Sequence, residues 1–282
     1  MPGSPSGQPI ITLLTDFGHR DGYPGVMKGV IWSIAPNARL VDLSHDIPAQ
    51  NVHAGALVLG RAVPYFPPGT IHVAVVDPGV GSTRRAISAR LGEQYFVLPD
   101  NGLLTYALEW AAERSLPAAF IELDRPEYWL QPVSRSFHGR DIFAPAAAHL
   151  AAGAPWEQLG TPIEHPLLLP VNEPRRTPEG WQGAIIDVDR FGNLITNLTR
   201  EHLEPGRAKE IRLASSRIKG IVQTFSDRPA GEIIAMYDSD GRLSICQVNG
   251  HAAEALRAGP GSPVEVVMAA AAGGWPDTGE GR

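Results

Sequence analysis

Prolines at positions 162, 166, 170, 174 and 178 recur every four residues and divide the chain into two parts of different material. Proline lacks the N–H that a helix needs and its ring clashes with the preceding turn, so no continuous helix crosses this stretch. Residues 161–178 are therefore expected to be an extended, Pro-rich linker. What lies on either side has to bury its apolar residues separately. A chain of 282 residues is long enough to do so.

Before the prolines, short apolar runs alternate with helical patterns. Residues 10–15 read as a buried strand that stops at Asp16-Phe17-Gly18. Tyr23, Val26, Met27, Val30, Ile31 and Ile34 then recur at helical spacing until Pro36-Asn37. Strands are predicted at 39–43, 71–76 and 119–123, a hairpin at 86–98, and helices at about 51–63, 101–113 and 141–151. Asn51 and Asp141 are the predicted N-caps of two of these helices. Alternation of this kind implies an α/β domain over residues 9–160 with a largely parallel sheet. After the prolines, strand-like segments at 182–188, 208–213, 232–237, 242–248 and 263–268 are separated by Gly, Asp, Asn and Ser. They imply a smaller all-β sheet or barrel over 179–270, with a disordered tail at 271–282.

The formal charge of −6 and the lack of a Lys/Arg run argue against a nucleic-acid partner. No window approaches eighteen uninterrupted apolar residues, which argues against a membrane span. The first ten residues read as a leader with neither a basic start nor an apolar stretch. Cys246 is the only cysteine, so no intrachain disulfide forms, which suits a reducing cytoplasm.

Ligands of open α/β sheets collect at the carboxyl ends of strands. Two acidic, glycine-containing loops hold that position, Thr15 to Asp21 and Asp77 to Arg85. Asp16 has an alternative reading as a turn residue that bonds its own backbone. Asp77 is harder to reduce to a turn, because two glycines and two arginines follow it within nine residues. A third loop, Ser136 to Asp141, offers His138, whose more ordinary reading, taken alone, is as a loop anchor. His45, His53 and His72 have no metal-ligand spacing, and neither a Walker nor a dinucleotide loop is present. Asp189 to Asn193 and Asn249-Gly250 read as polar hairpin turns.

In order along the chain stand Thr15-Asp16-Phe17-Gly18, Val76-Asp77-Pro78-Gly79-Val80-Gly81-Ser82 with Arg84-Arg85, Pro99-Asp100-Asn101-Gly102, Phe137-His138-Gly139-Arg140-Asp141, and Asp189-Arg190-Phe191-Gly192-Asn193. Together these segments resemble the S-adenosylmethionine hydroxide adenosyltransferases, relatives of the fluorinating and chlorinating enzymes. The resemblance implies an α/β domain followed by a β-barrel, and a homotrimer with sites between subunits. It also implies hydrolysis of S-adenosylmethionine to adenosine and methionine, with that compound as substrate and with no cofactor or metal. Asp77, Arg84 and His138 match the family's catalytic set, which the halogenating relatives lack. Asp16 matches the carboxylate that grips the ribose hydroxyls, and Asp21 falls among contacts to the substrate's polar ends. Asp189, Asn193, Ser239 and Asn249 are the substrate-binding candidates of the second domain. Asp240 stands where the fluorinating relatives place an arginine. A nucleoside-binding protein with little turnover and a 5′-halogenating enzyme are the alternatives to hydrolysis.

Overall fold

A computed structural model describes residues 7–203 and 208–269. Most of the expected leader, and the tail expected at 271–282, lie outside the described residues. The chain forms two compact units divided between Pro170 and Val171.

In the first unit the elements run β1 (Ile10–Thr15), α1 (Tyr23–Ile34), β2 (Arg39–Ser44), α2 (Val52–Ala62), β3 (Ile71–Val75), β4 (Ala86–Leu91), β5 (Gln94–Pro99), α3 (Thr105–Glu113), β6 (Ala118–Glu122), α4 (Ala144–Ala151) and β7 (Thr161–Ile163). The seven strands form one sheet in the order β2-β1-β3-β5-β4-β6-β7. Pairing is parallel from β2 through β5 and antiparallel beyond, so the sheet is mixed. The 86–98 hairpin causes the change: β4 and β5 are joined by too short a loop to pair any other way.

Strand periodicity explains the layers. On β3, Ile71, Val73 and Val75 face a core shared with Met27 and Ile31 of α1 and with the alanines of α4. Ala74 and the following Val76 face the opposite core, with Leu59 of α2 and Ala107 of α3. A two-residue repeat with both faces covered produces the continuous apolar runs seen in β1 and β3.

Two local expectations are corrected. Residues 161–178 are extended but not a free linker: β7 pairs with β6, and Arg175–Thr177 (β8) pairs with the second unit's sheet. Pro162 is tolerated because β7 is a sheet edge, where a missing N–H breaks no ladder. Asp141 is not an N-cap. It lies inside a π-helical turn, Gly139–Phe143, that leads directly into α4. Asn51 does cap α2, its side chain accepting from Ala54 N at 3.0 Å.

The second unit continues with β9 (Gly180–Val188), β10 (Leu194–Thr199), β11 (Ala208–Leu213), β12 (Ser216–Lys219), β13 (Ile233–Tyr237), β14 (Arg242–Gln247), α5 (Ala252–Leu256) and β15 (Pro263–Met268). The ladders between its strands are antiparallel, in the order β12-β11-β15-β9-β10-β14-β13, with β8 on β9. Val222, just after β12, bridges to Met236 in β13, which brings the sheet close to closing into a barrel. Strands β10 and β12 were not expected from the sequence. The polar residues Thr196 and Asn197 mask β10, yet both are buried, with Thr196 Oγ1 donating to Leu243 O at 2.7 Å.

Candidate active site

The loop after β3 turns at Pro78-Gly79 and returns Arg84 over Asp77. Arg84 Nε lies 2.9 Å from Asp77 Oδ1 and 3.0 Å from Oδ2, and Nη2 adds a further bond to Oδ2. This is the paired geometry that a planar guanidinium suits. Nη2 also contacts His138 Nδ1 at 2.9 Å, and the guanidinium sits 5.3 Å from the Phe143 ring centroid. The Asp77 and Arg84 side chains are only 4% and 10% exposed, so their attraction is weakly screened.

Two devices bring His138 to this pair. Gly81 has φ +77, and a Cβ there would stand 2.2 Å from Arg135 O, so only glycine lets the two loops meet. Asp141, fully buried, holds the His138 loop from inside. Its Oδ1 accepts from Arg140 Nε at 2.6 Å, and its Oδ2 accepts from Ser134 N at 2.8 Å. Burial opposes ionisation of Asp141, but hydrogen bonds from Arg140 and Ser134 prevail and hold its pKa below the ordinary value.

An arginine can only donate, so His138 Nδ1 is the acceptor and the neutral ring carries its proton on Nε2. Burial first, and then the Arg84 cation, push the His138 pKa below the ordinary value; Asp77, Asp141 and a Ser134 backbone bond oppose them. Neutral His138 and charged Arg84 are thus mutually consistent.

Adjacent Arg85 does something else. It bonds Asp100 through Nε at 2.8 Å and His165 O through Nη2 at 3.1 Å. Asp100 Oδ1 in turn accepts from Leu167 N at 2.6 Å, so this pair ties down the proline-containing segment.

Asp16 follows β1 and accepts from Gln50 N through Oδ2 at 2.8 Å. Asp21 is exposed in the same loop, just before α1. Phe17, Tyr23 and Phe137 form an edge-to-face trio beside it, with centroids 5.1–6.0 Å apart, and none of the three was an expected site residue.

In the second unit, Asp189, Asn193 and Ser239 line one cavity of about 320 Å³ with Phe191, Phe225 and Tyr237. Phe191 and Phe225 are 74% and 40% exposed in this chain, and neither stood among the expected site residues. The Asp189 carboxylate is committed to its turn. Oδ1 accepts from Phe191 N and Asn193 N, each at 2.9 Å, and Oδ2 accepts from Asn193 Nδ2 at 2.8 Å. Asn249, at φ +52, forms the turn after β14 and is not among the residues lining that cavity. Among the described residues, no group of three or more His, Cys, Asp or Glu is placed to hold a metal ion. No helix among them is long and apolar enough to cross a membrane.

Comparison with known proteins adds a family to this geometry. Residues 11–160 match the model of the SAM hydroxide adenosyltransferase N-terminal domain, and residues 183–265 that of its C-terminal domain. A Salinispora arenicola protein named (R)-S-adenosyl-L-methionine hydrolase is 39% identical over 260 residues, 92% of this chain and 97% of that one. A Thermus thermophilus protein of the same name is 40% identical over 265 residues, 91% and 99% of the two chains. A fluorinase of Actinopolyspora mzabensis is more distant, at 26% over 280 residues, 85% and 91%. Among solved structures, an uncharacterized conserved protein from Thermotoga maritima superposes with TM-score 0.83 at 35% identity, covering 91% of this chain and 99% of its own.

Proposed function

The chain belongs to the SAM hydroxide adenosyltransferase family, and from that premise we propose that it hydrolyses S-adenosyl-L-methionine to adenosine and L-methionine. The observation that carries this reading is Arg84 held between Asp77 and neutral His138. Water attacks the ribose 5′-carbon, the C5′–S bond breaks, and methionine leaves as a neutral thioether while one proton passes to solvent. The leaving group needs no acid, so the protein's task is the nucleophile.

Asp77 and His138 occupy Nε and Nη2 of Arg84, while among the described residues Nη1 has only a 3.5 Å bond to Arg85 O. Nη1 then meets the water and stabilises its hydroxide character as a fixed cation. Arg84 acts as a cation and not as a base, because a guanidinium has donors and no acceptor. Positioning the water in line with the departing sulfur supplies the rest. Asp16 grips the ribose hydroxyls and Asp21 contacts a polar end of the substrate. The Phe191 and Phe225 rings, with Asn193 and Ser239, offer a flat base two apolar faces and polar edges. Asn249 faces the adenine, and Asp189 acts by holding Asn193. No cofactor or metal enters this scheme. We assign the protein to the cytoplasm, in keeping with its single cysteine, and to a homotrimer with sites between subunits.

Relatives named for the (R) compound support a finer reading, that the preferred substrate is the (R) sulfonium epimer. Inverting a pyramidal sulfonium exchanges the methyl group and the methionine arm about a fixed adenosyl group, so one pocket cannot serve both equally. Purified protein incubated with each epimer should release adenosine and methionine in equal amounts, faster from the (R) form. The reading fails if adenosine does not exceed that from an Arg84→Ala control, or if added halide diverts the product to a 5′-halo nucleoside. A monomer in solution would remove the shared-site assembly.

A further inference from the structure

Four side chains form a line behind the Asp16 turn. Lys28 Nζ contacts Asp42 Oδ2 at 2.6 Å, and Asp42 Oδ1 lies 3.0 Å from His45 Nε2, off the direction of a well-formed hydrogen bond. His45 Nδ1 lies 2.8 Å from Thr15 Oγ1, which accepts from Phe17 N at 3.3 Å. The donors are consistent along the line. With Nε2–H toward the Asp42 carboxylate, Nδ1 accepts the Thr15 hydroxyl proton, and a Thr15 lone pair remains for the Phe17 amide.

The order Thr-His-Asp is that of a nucleophile, a base and an orienting acid. Thr15 is fully buried and His45 only 1% exposed, so no substrate carbon reaches this hydroxyl. Another use follows from what the line touches. His45 grips the 15–18 turn twice, by its ring through Thr15 to Phe17 N, and by its carbonyl, which accepts from Gly18 N at 2.8 Å. Asp16, between these two points, accepts from Gln50 N through Oδ2 and makes no hydrogen bond through Oδ1 among the described residues. Burial lowers the His45 pKa, with Asp42 opposing and Lys28 and His19 adding to the lowering, so the ring stays a neutral two-ended connector.

We propose that His45 and Thr15 are positioning residues for Asp16, holding its carboxylate where it can grip the two ribose hydroxyls, and that Asp42 and Lys28 set the orientation of the His45 ring. This rests on the reading of Asp16 as the ribose carboxylate.

The test compares kcat/KM for the substrate with that for its 2′-deoxyribosyl analogue. Thr15→Val is nearly isosteric and removes the hydroxyl, and Asp42→Asn weakens the half-exposed end of the line. Thr15→Val is expected to lower the ribosyl preference by about tenfold, and Asp42→Asn by less in the same direction. A merely structural role would depress both substrates alike and leave the ratio unchanged. Asp16→Asn run beside them separates the two ideas. If Asp16→Asn abolishes the preference while Thr15→Val and Asp42→Asn, checked for folding by thermal melting, keep it intact, the positioning role is overturned. If Asp16→Asn itself keeps the preference, the ribose reading is wrong and the positioning role falls with it.

Discussion

Arg84 Nη2 meets His138 Nδ1 at 2.9 Å, joining two loops that lie 54 residues apart in the chain. Together with the paired bonds to Asp77, this fixes the guanidinium plane. A fixed cation in a weakly screened place does not have to reorganise when a hydroxide forms beside it.

Arg84→Lys keeps the charge but loses the fork, since one ammonium cannot bond Asp77 side-on and reach His138 as well. Adenosine release in single-turnover assays should fall by about 10²–10³-fold, with a small change in KM. A lysine variant within a factor of a few of the unaltered protein would show that charge alone suffices.

The same contact predicts how His138 titrates. Burial and the Arg84 cation both lower its pKa, so the ring reaches half-protonation at a pH below the ordinary midpoint of 6.5. In an NMR titration the His138 midpoint should lie below that of a free histidine. Arg84→Ala should move it upward, because one of the two lowering causes is removed. Because protonated Nδ1 cannot accept from Arg84, kcat/KM should decline as pH falls, with a midpoint below that of an ordinary histidine.

Gly81 sets how closely the two loops approach. A Cβ there would stand 2.2 Å from the Arg135 carbonyl oxygen, a backbone atom that has no rotamer to escape into, and φ +77 adds strain. Gly81→Ala should therefore separate Arg84 from His138 and cut kcat by at least tenfold, with a fall in melting temperature of a few degrees. The Gly69→Ala variant is a control, since φ is +83 there but nothing lies within 4 Å of the added methyl group. Equal losses of activity in both variants would assign the effect to strain alone.

How far the site was legible depends on whether its parts are neighbours in the chain. Asp77 and Arg84 stand in one loop whose composition exceeds what a turn requires. His138 has no local mark, because its partner comes from a different loop and only the fold, or a family resemblance, unites them. Asp141 was misread for a related reason. An acid before an alanine-rich helix looks like a cap, but the chain enters that helix through a π turn that points the carboxylate inward to Ser134 and Arg140. Arg84 and Arg85 are adjacent, yet one joins Asp77 to His138 and the other anchors the segment at 165–167, which no composition argument separates. The proline spacing did announce extended chain. The partners β6 and β9, which make strands of its two ends, lie well outside the repeat.

His72, set aside when it matched no metal spacing, carries the last prediction, which concerns stability. It is fully buried in β3, its Nδ1 2.8 Å from Thr12 Oγ1 and its Nε2 3.3 Å from Gln94 Oε1, with its ring stacked on Phe96. Gln94 donates onward to Phe66 O at 2.7 Å, so its Oε1 is the acceptor and His72 is neutral with the proton on Nε2. Burial lowers the His72 pKa to about 4 from the ordinary 6.5, and the Gln94 bond only partly opposes it. Below pH 6.5 the unfolded chain therefore binds a proton that the folded protein refuses. The stability in question is complete above 6.5 and is lost progressively as pH falls towards 4, by roughly 3 kcal/mol over that window. Urea denaturation at pH 7 and pH 4.5 should show the loss, and His72→Gln, which has no such proton to bind, should flatten the part that His72 contributes. An undiminished pH dependence in that variant would assign the acid sensitivity to other groups.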